Sequence, residues 1–196
     1  MKNNIEKYFN QKSISVLDIV FIILIIVSSI LFIFVNGIGM IGLGLVLVSV
    51  AGLFVARSFR IKESAVDEKL QELILRLDLK GGETIGTYDL KYTALRGKDG
   101  KFRSECYVIS EYDFSEDLLK IGVYRIYLTD EAITEKHYKI QKSDKITLVE
   151  ELVSTMNANK QILSLSADVF AGETVPVVTS DVDSAKLVEK VCSWSR

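Results

Sequence analysis

Histidine, tryptophan and proline occur once each in this 196-residue chain, as His137, Trp194 and Pro176, and cysteine twice, as Cys106 and Cys192. The single histidine limits nucleophilic catalysis, because any Ser-His-Asp or Cys-His arrangement must use His137. It stands in Glu135-Lys136-His137-Tyr138-Lys139, which alternates like a half-exposed strand, and no G-x-S-x-G motif accompanies it. The expectation is no enzyme. The two cysteines share no metal-ligand spacing, which excludes a disulfide framework and a zinc site and leaves both as reduced packing residues. One proline and regular alternation exclude disorder except at the extreme N-terminus. Charge of one sign is also missing: 24 basic against 26 acidic residues leave a formal −2, with no field to hold a nucleic acid polymer. Glu111-Tyr112-Asp113 with Glu116-Asp117, and Asp181 with Asp183, lack the spacing of a calcium loop and read as turns and a helix cap. No metal or cofactor is expected.

The most extensive absence is of charge between Val20 and Ala56. Val16 to Ala56 forms two apolar spans broken at Asn36-Gly37, each of about 20 residues, which at about 1.5 Å per residue matches a bilayer core of about 30 Å. We read residues 16–56 as a transmembrane helical hairpin after an N-terminal segment, 1–15. Lys2, Lys7 and Lys12 give that segment a signal-like start, but the apolar run is too long for a signal peptide and lacks a small-x-small cleavage site. Ser15 and Asp18 fit a capping box at the start of the first span. The loop from Asn36 to Gly39 carries no charge, whereas Arg57, Arg60 and Lys62 follow the second span. The positive-inside rule then places both termini in the cytoplasm of a cell that carries the chain in its inner or plasma membrane. Gly37-Ile38-Gly39-Met40-Ile41-Gly42 spells G-x-G-x-x-G, yet it follows a membrane span and meets Arg57-Ser58 where a ribose-binding acid belongs, so no nucleotide fingerprint is read there. Gly42, Ser49, Gly52 and Ala56 lie on one face of the second span, where small residues admit a close helix neighbour. That neighbour is the first span or another protomer.

Residues 57–82 read as a connector. The period is helical from Phe59 to about Gln71, and residues 73–80 fit a helix or a strand equally before Gly81-Gly82. Seven strands are expected in residues 83–196: Glu83–Leu95, Lys101–Tyr112, Ile121–Leu128, Ala132–Ile140, Lys145–Val153, Gln161–Phe170 and Thr174–Thr179. The fifth also fits a short helix. A C-terminal helix follows, opened by Ser180 with Asp183, with Leu187, Val188, Val191, Cys192 and Trp194 on its apolar side. Tyr107, Tyr112, Tyr124, Tyr127 and Tyr138 are expected to pack on the strands. The fold class is thus a membrane α-hairpin plus an α+β soluble domain.

Seven short antiparallel strands closed by one amphipathic helix resemble the pleckstrin-homology (PH) superfold, a barrel or sandwich plugged by that helix. The run Val123-Tyr124-Arg125-Ile126-Tyr127-Leu128-Thr129-Asp130 is similar to a turn of bacterial two-span membrane proteins with a PH-like cytoplasmic domain. The resemblance implies a basic cup in the first hairpin that would hold a phosphate or lipid headgroup. Its counterparts here are Lys91, Lys101 and Arg103, with Arg96 and Lys98 in the loop. The leading expectation is a membrane-anchored scaffold or regulatory module that binds a protein or an anionic ligand at the inner leaflet. The alternative resembles two-span antiphage effectors, in which a β-rich domain senses a cyclic nucleotide and the helices self-associate to breach the bilayer. Their Gly-x-Trp-type strand is absent here, and their barrel has no closing helix.

Overall fold

The computed structural model describes residues 4–10, 16–34, 39–58, 60–154 and 159–194. They form two compact units, Met1–Lys62 and Glu63–Arg196. The first holds α1 (Asn4–Asn10), α2 (Val16–Phe34) and α3 (Gly39–Ser58). Helices α2 and α3 are long and apolar enough to cross a membrane, and their outward side chains stay bare, as at Val16, Ile33, Met40, Val48 and Phe54. A buried core helix of a soluble protein would instead be covered.

The two helices run antiparallel, as their close contacts show. A Cβ added to Gly42 would stand 2.9 Å from the Phe32 backbone nitrogen and 3.0 Å from the Ser28 carbonyl oxygen, and one added to Gly52 would stand 2.5 Å from the Phe21 ring. Ser28 and Ser49 are buried. The small face of α3 therefore takes α2 of the same chain. At the end of this hairpin Asp18 pairs with Arg60 and lies 3.6 Å from Arg57 Nε, which joins the start of α2 to the end of α3. The capping box placed on Ser15 falls outside the described residues; the Asp18 carboxylate meets two arginines, whose charge offsets its desolvation.

In the second unit α4 (Glu63–Ile74) buries Val66, Leu70 and Leu73, one i, i+4, i+7 stripe, and lies against the sheet at β5 (Leu118–Tyr127). Of residues 73–80, Leu73 and Ile74 continue and end α4, and the rest form neither strand nor helix. The N–H groups of Leu75, Arg76 and Leu77 close the last turns onto Gln71, Leu73 and Ile74, and the chain then runs without a ladder to Gly81, at φ +86°. The alternating leucines find no partner strand, and Leu75 is 85% exposed. Alternation alone does not make a strand without a sheet edge to join.

The expected first strand, Glu83–Leu95, is broken into β1 (Glu83–Tyr88) and β2 (Ala94–Arg96). The Asp89 carboxylate accepts the Lys91 N–H and its carbonyl accepts the Tyr92 N–H, a local turn that outcompetes the ladder. The expected second strand, Lys101–Tyr112, likewise divides at Glu105 into β3 (Phe102–Ser104) and β4 (Cys106–Phe114). Then come β5, β6 (Ala132–Gln141), β7 (Ile146–Ser154), β8 (Asn159–Ala167), a 3-10 turn at Asp168–Phe170, β9 (Val175–Val177) and α5 (Val182–Trp194). Asp181, not Ser180, caps α5, its carboxylate accepting the Ser184 N–H at 2.8 Å.

All pairing is antiparallel. The sheets are β1-β4-β5-β6 and β7-β8-β9, with a separate β2-β3 ribbon. Their facing sides and α5 enclose one core that includes Ile85, Val108, Ile121, Leu165, Phe170 and Val191. Of the barrel or sandwich that was expected, the closed barrel is not formed. Strand β9 has three residues and one is Pro176, which has no N–H to give a neighbour, so β9 pairs with β8 alone. Strand β6 keeps an outer edge charged with Glu135, Lys136 and Lys139.

Candidate functional site

The five basic residues expected to form a phosphate cup do not converge on one point. Arg103 is buried, and its guanidinium is held by Asp67 through two 2.7 Å bonds and by Asp99 at 2.8 and 3.1 Å. Two carboxylates thus saturate the Arg103 guanidinium, whose planar fork would otherwise suit a phosphate. Arg103 is held still more firmly protonated than usual by these bonds. It in turn, with the Lys101 N–H, draws Asp99 down to about 2. Beside them Glu63 accepts the Lys98 N–H and is lowered by it. Arg96 donates to the Gly100 carbonyl oxygen and lies over the Phe102 ring. Lys101 remains exposed on the turn. Lys91 is elsewhere, its Nζ 2.6 Å from Glu151 and 2.9 Å from the Thr174 hydroxyl. Spacing in sequence placed these cations on one hairpin; the carboxylates that claim them come from α4, the β2-β3 turn and β7.

Lys91 belongs to a polar cleft of about 530 Å³ with Arg125 and Lys136. Its cations are also matched: Glu173 pairs with Lys136, lies 3.5 Å from Arg125 and accepts the Tyr138 hydroxyl. The Tyr92 and Tyr127 hydroxyls meet at 3.4 Å. No charge is left over for a ligand.

Two other features are not self-satisfied. The first is the free side of β7, on which no strand lies among the described residues. A groove of about 810 Å³ runs beside it, floored by Leu148, Ala185, Val188 and Cys192 of β7 and α5 and edged by Lys145 and Glu189. Leu148 and Leu152 project from one face of β7, 41% and 73% exposed. The expected strand Lys145–Val153 does form, so the helical alternative for that stretch is discarded.

The second is a cleft of about 460 Å³ on the face of the larger sheet away from the shared core. Register sets Glu111 of β4, Gly122 of β5 and His137 of β6 in one row, and Asp113, Lys120 and Lys139 in the next. Glu111 is 5% exposed; its carboxylate accepts the Gly82 N–H at 3.0 Å and the Tyr124 hydroxyl at 3.3 Å. Burial, and then the Glu111 charge, push the Tyr124 phenol up to about 12, so it stays a donor. Glu111 lies within β4, as the strand expected over Lys101–Tyr112 has it and against the reading of Glu111-Tyr112-Asp113 as a turn. The signal was available in Val108-Ile109-Ser110-Glu111-Tyr112, where a carboxylate interrupts a run too apolar for a turn.

His137 is exposed and paired with Glu135, as expected of a strand histidine. Cys106 is buried in the core, with its thiol pushed up to about 12 by desolvation and then by Asp89, so it is not a nucleophile at neutral pH. Both cysteines are free, and no group of three or more metal-ligating side chains occurs among the described residues. Comparison with protein-family models, with curated proteins and with solved structures finds no match to this chain.

Proposed function

We propose that the chain is a non-enzymatic, membrane-anchored binding module that holds a partner protein at the inner face of the membrane by taking an extended segment of it along β7. The observation that carries this reading is the open β7 edge beside the groove of β7 and α5. An edge strand offers unpaired N–H and C=O groups, and soluble proteins blunt such edges with charge. Strand β6 is blunted in that way, whereas β7 presents Leu148 and Leu152. Strand addition would satisfy the backbone groups, and the groove would take alternate side chains of the incoming segment. The four-strand meander, three-strand meander and terminal helix support kinship with the PH-like superfold, although no closed barrel is present. The apolar pair α2 and α3 supports the anchor. Against the effector alternative stands the small face of α3, which α2 of the same chain already fills.

A photo-crosslinking residue at Leu152 in the full chain, expressed in its membrane, should yield a discrete protein adduct that Leu148→Lys abolishes. The same residue at Leu75, equally exposed but remote from β7 in the chain, should yield none. Identical adducts from both positions, or none from Leu152, would overturn the proposal.

A further inference from the structure

Register with β8 sorts the side chains of β7 onto two faces. Ile146, Leu148, Glu150 and Leu152 stand opposite Ala167, Leu165, Leu163 and Gln161, and both Leu165 and Ala167 belong to the core that α5 closes. This face therefore carries an apolar, an acidic and an apolar side chain in turn at Leu148, Glu150 and Leu152, all three exposed. Thr147, Val149, Glu151 and Val153 take the other face, where Glu151 is already matched by Lys91 at 2.6 Å.

Glu150 is not matched by charge. Its one partner among the described residues is the neutral amide of Gln161, diagonal to it on β8. At the start of the strand Lys145, also exposed, has no acidic partner among the described residues. At about 3.4 Å per residue these two charges lie about 17 Å apart along the edge, beyond a Debye length of about 8 Å, so neither neutralises the other. The edge is thus polarised, basic where β7 begins and acidic beyond Leu148. On an added strand the residue directly opposite Glu150 lies on the same face and about 5 Å away, where an opposite charge is favourable and a like charge is not.

A second copy of the chain does not supply that cation. Two β7 edges joined across a two-fold axis, with their core faces on the same side, pair even positions with even and odd with odd. The register that sets Leu148 against Leu152 sets Glu150 against Glu150. The register centred on Leu148 sets Glu150 against Ile146, and the one centred on Val149 sets it against Leu148. Each opposes the carboxylate to itself or to an apolar side chain.

Building on strand addition at β7, we infer that the segment taken up is a basic-centred strand of a different protein, with Lys or Arg opposite Glu150 and apolar residues two positions to either side, opposite Leu148 and Leu152. An acidic strand is repelled by the same carboxylate. A wholly apolar strand desolvates Glu150 without giving it a partner. Lys145 repels the incoming cation from the other end of the edge, which fixes the register as well as the composition.

The test is fluorescence anisotropy of the full chain in nanodiscs of phosphatidylcholine, a lipid without net charge that gives basic peptides no electrostatic attraction. Three labelled nonapeptides serve as probes. The first alternates valine and threonine, valine at both ends, with lysine at the centre; the second has glutamate at the centre; the third is the lysine peptide N-methylated along its backbone. The lysine peptide should bind about threefold to tenfold more tightly than the glutamate peptide, as a cross-strand charge pair gives, and 1 M salt, with a Debye length of about 3 Å, should shrink the ratio. Glu150→Lys, at an exposed position, should reverse the order. Equal affinity for the two peptides, or an order unmoved by Glu150→Lys, would overturn the charge assignment and leave strand addition standing. An N-methylated peptide that binds as tightly as its parent would overturn strand addition itself, and failure of all three to bind at millimolar concentration would overturn both.

Discussion

At the scale of single residues, Arg103 shows how tertiary partners decide what a basic side chain is for. Its guanidinium ties α4, through Asp67, to the β2-β3 turn, through Asp99. Arg103→Lys keeps the charge but gives up the fork, so it should lower the stability of the full chain in detergent by about 1 to 2 kcal/mol, read as an earlier thermal transition. An unchanged transition would show that the contacts contribute nothing. The pH dependence follows from Asp99, whose folded value of about 2 lies below the ordinary carboxylate value near 3.9. Its stabilising effect is complete above about pH 4 and fades as pH falls toward 2. The wild type should therefore lose more stability between pH 5 and pH 2 than Arg103→Met, in which the main group that depresses Asp99 is gone and Lys101 alone remains. Equal acid sensitivity would contradict this. Sequence showed the basic residues as a set; it did not show Asp67, 36 positions away, because ion pairing at that separation depends on the path of the chain.

At the scale of elements, local periodicity was a good guide wherever a partner surface existed. The stripe Val66, Leu70 and Leu73 made a helix, and Ser49, Gly42 and Gly52 marked a helix seam by spacing alone. The leucines after Ile74 alternate as regularly as a strand and form none, since no edge is offered to them. Strand boundaries failed at Asp89 and Glu105 because a side-chain turn competes locally with the ladder, which residue-type averages do not register. The seam permits a graded prediction. A methyl at Gly42 meets backbone of α2, a methyl at Gly52 meets the rim of the Phe21 ring, and one at Gly44 meets nothing within 4 Å. Gly42→Ala should thus destabilise the chain most, by about 1 to 3 kcal/mol as for other overpacked sites. Gly52→Ala should cost less because the ring can turn, and Gly44→Ala should be neutral. Thermal unfolding in one detergent orders the three, and a Gly44 variant as damaged as the Gly42 variant would refute the seam.

At the scale of the whole molecule, composition separated apolar helices from a sheet-rich part with a terminal helix, since a run of residues without charge and a run of alternating ones differ in kind, but it set α4 in a connector, whereas α4 belongs to the sheet-rich unit. It did not reveal that the two sheets remain unjoined, which turns on a three-residue β9 and its proline. The polar cleft of Glu111 was equally hidden, because it is assembled by register across three strands. Orientation in the bilayer is the remaining consequence of the chain's layout. Arg57 and Arg60 neutralise Asp18, yet orientation follows the count of Lys and Arg and not net charge, so the pairing leaves the expectation in place. A cysteine at the exposed Leu75 should accordingly resist a membrane-impermeant maleimide on intact cells and react once the membrane is opened. The native thiols do not blur the result, since Cys106 is buried and a chain with Cys192→Ser supplies the background. Labelling of Leu75→Cys on intact cells would place the sheet-rich unit outside and remove the inner-leaflet partner with it.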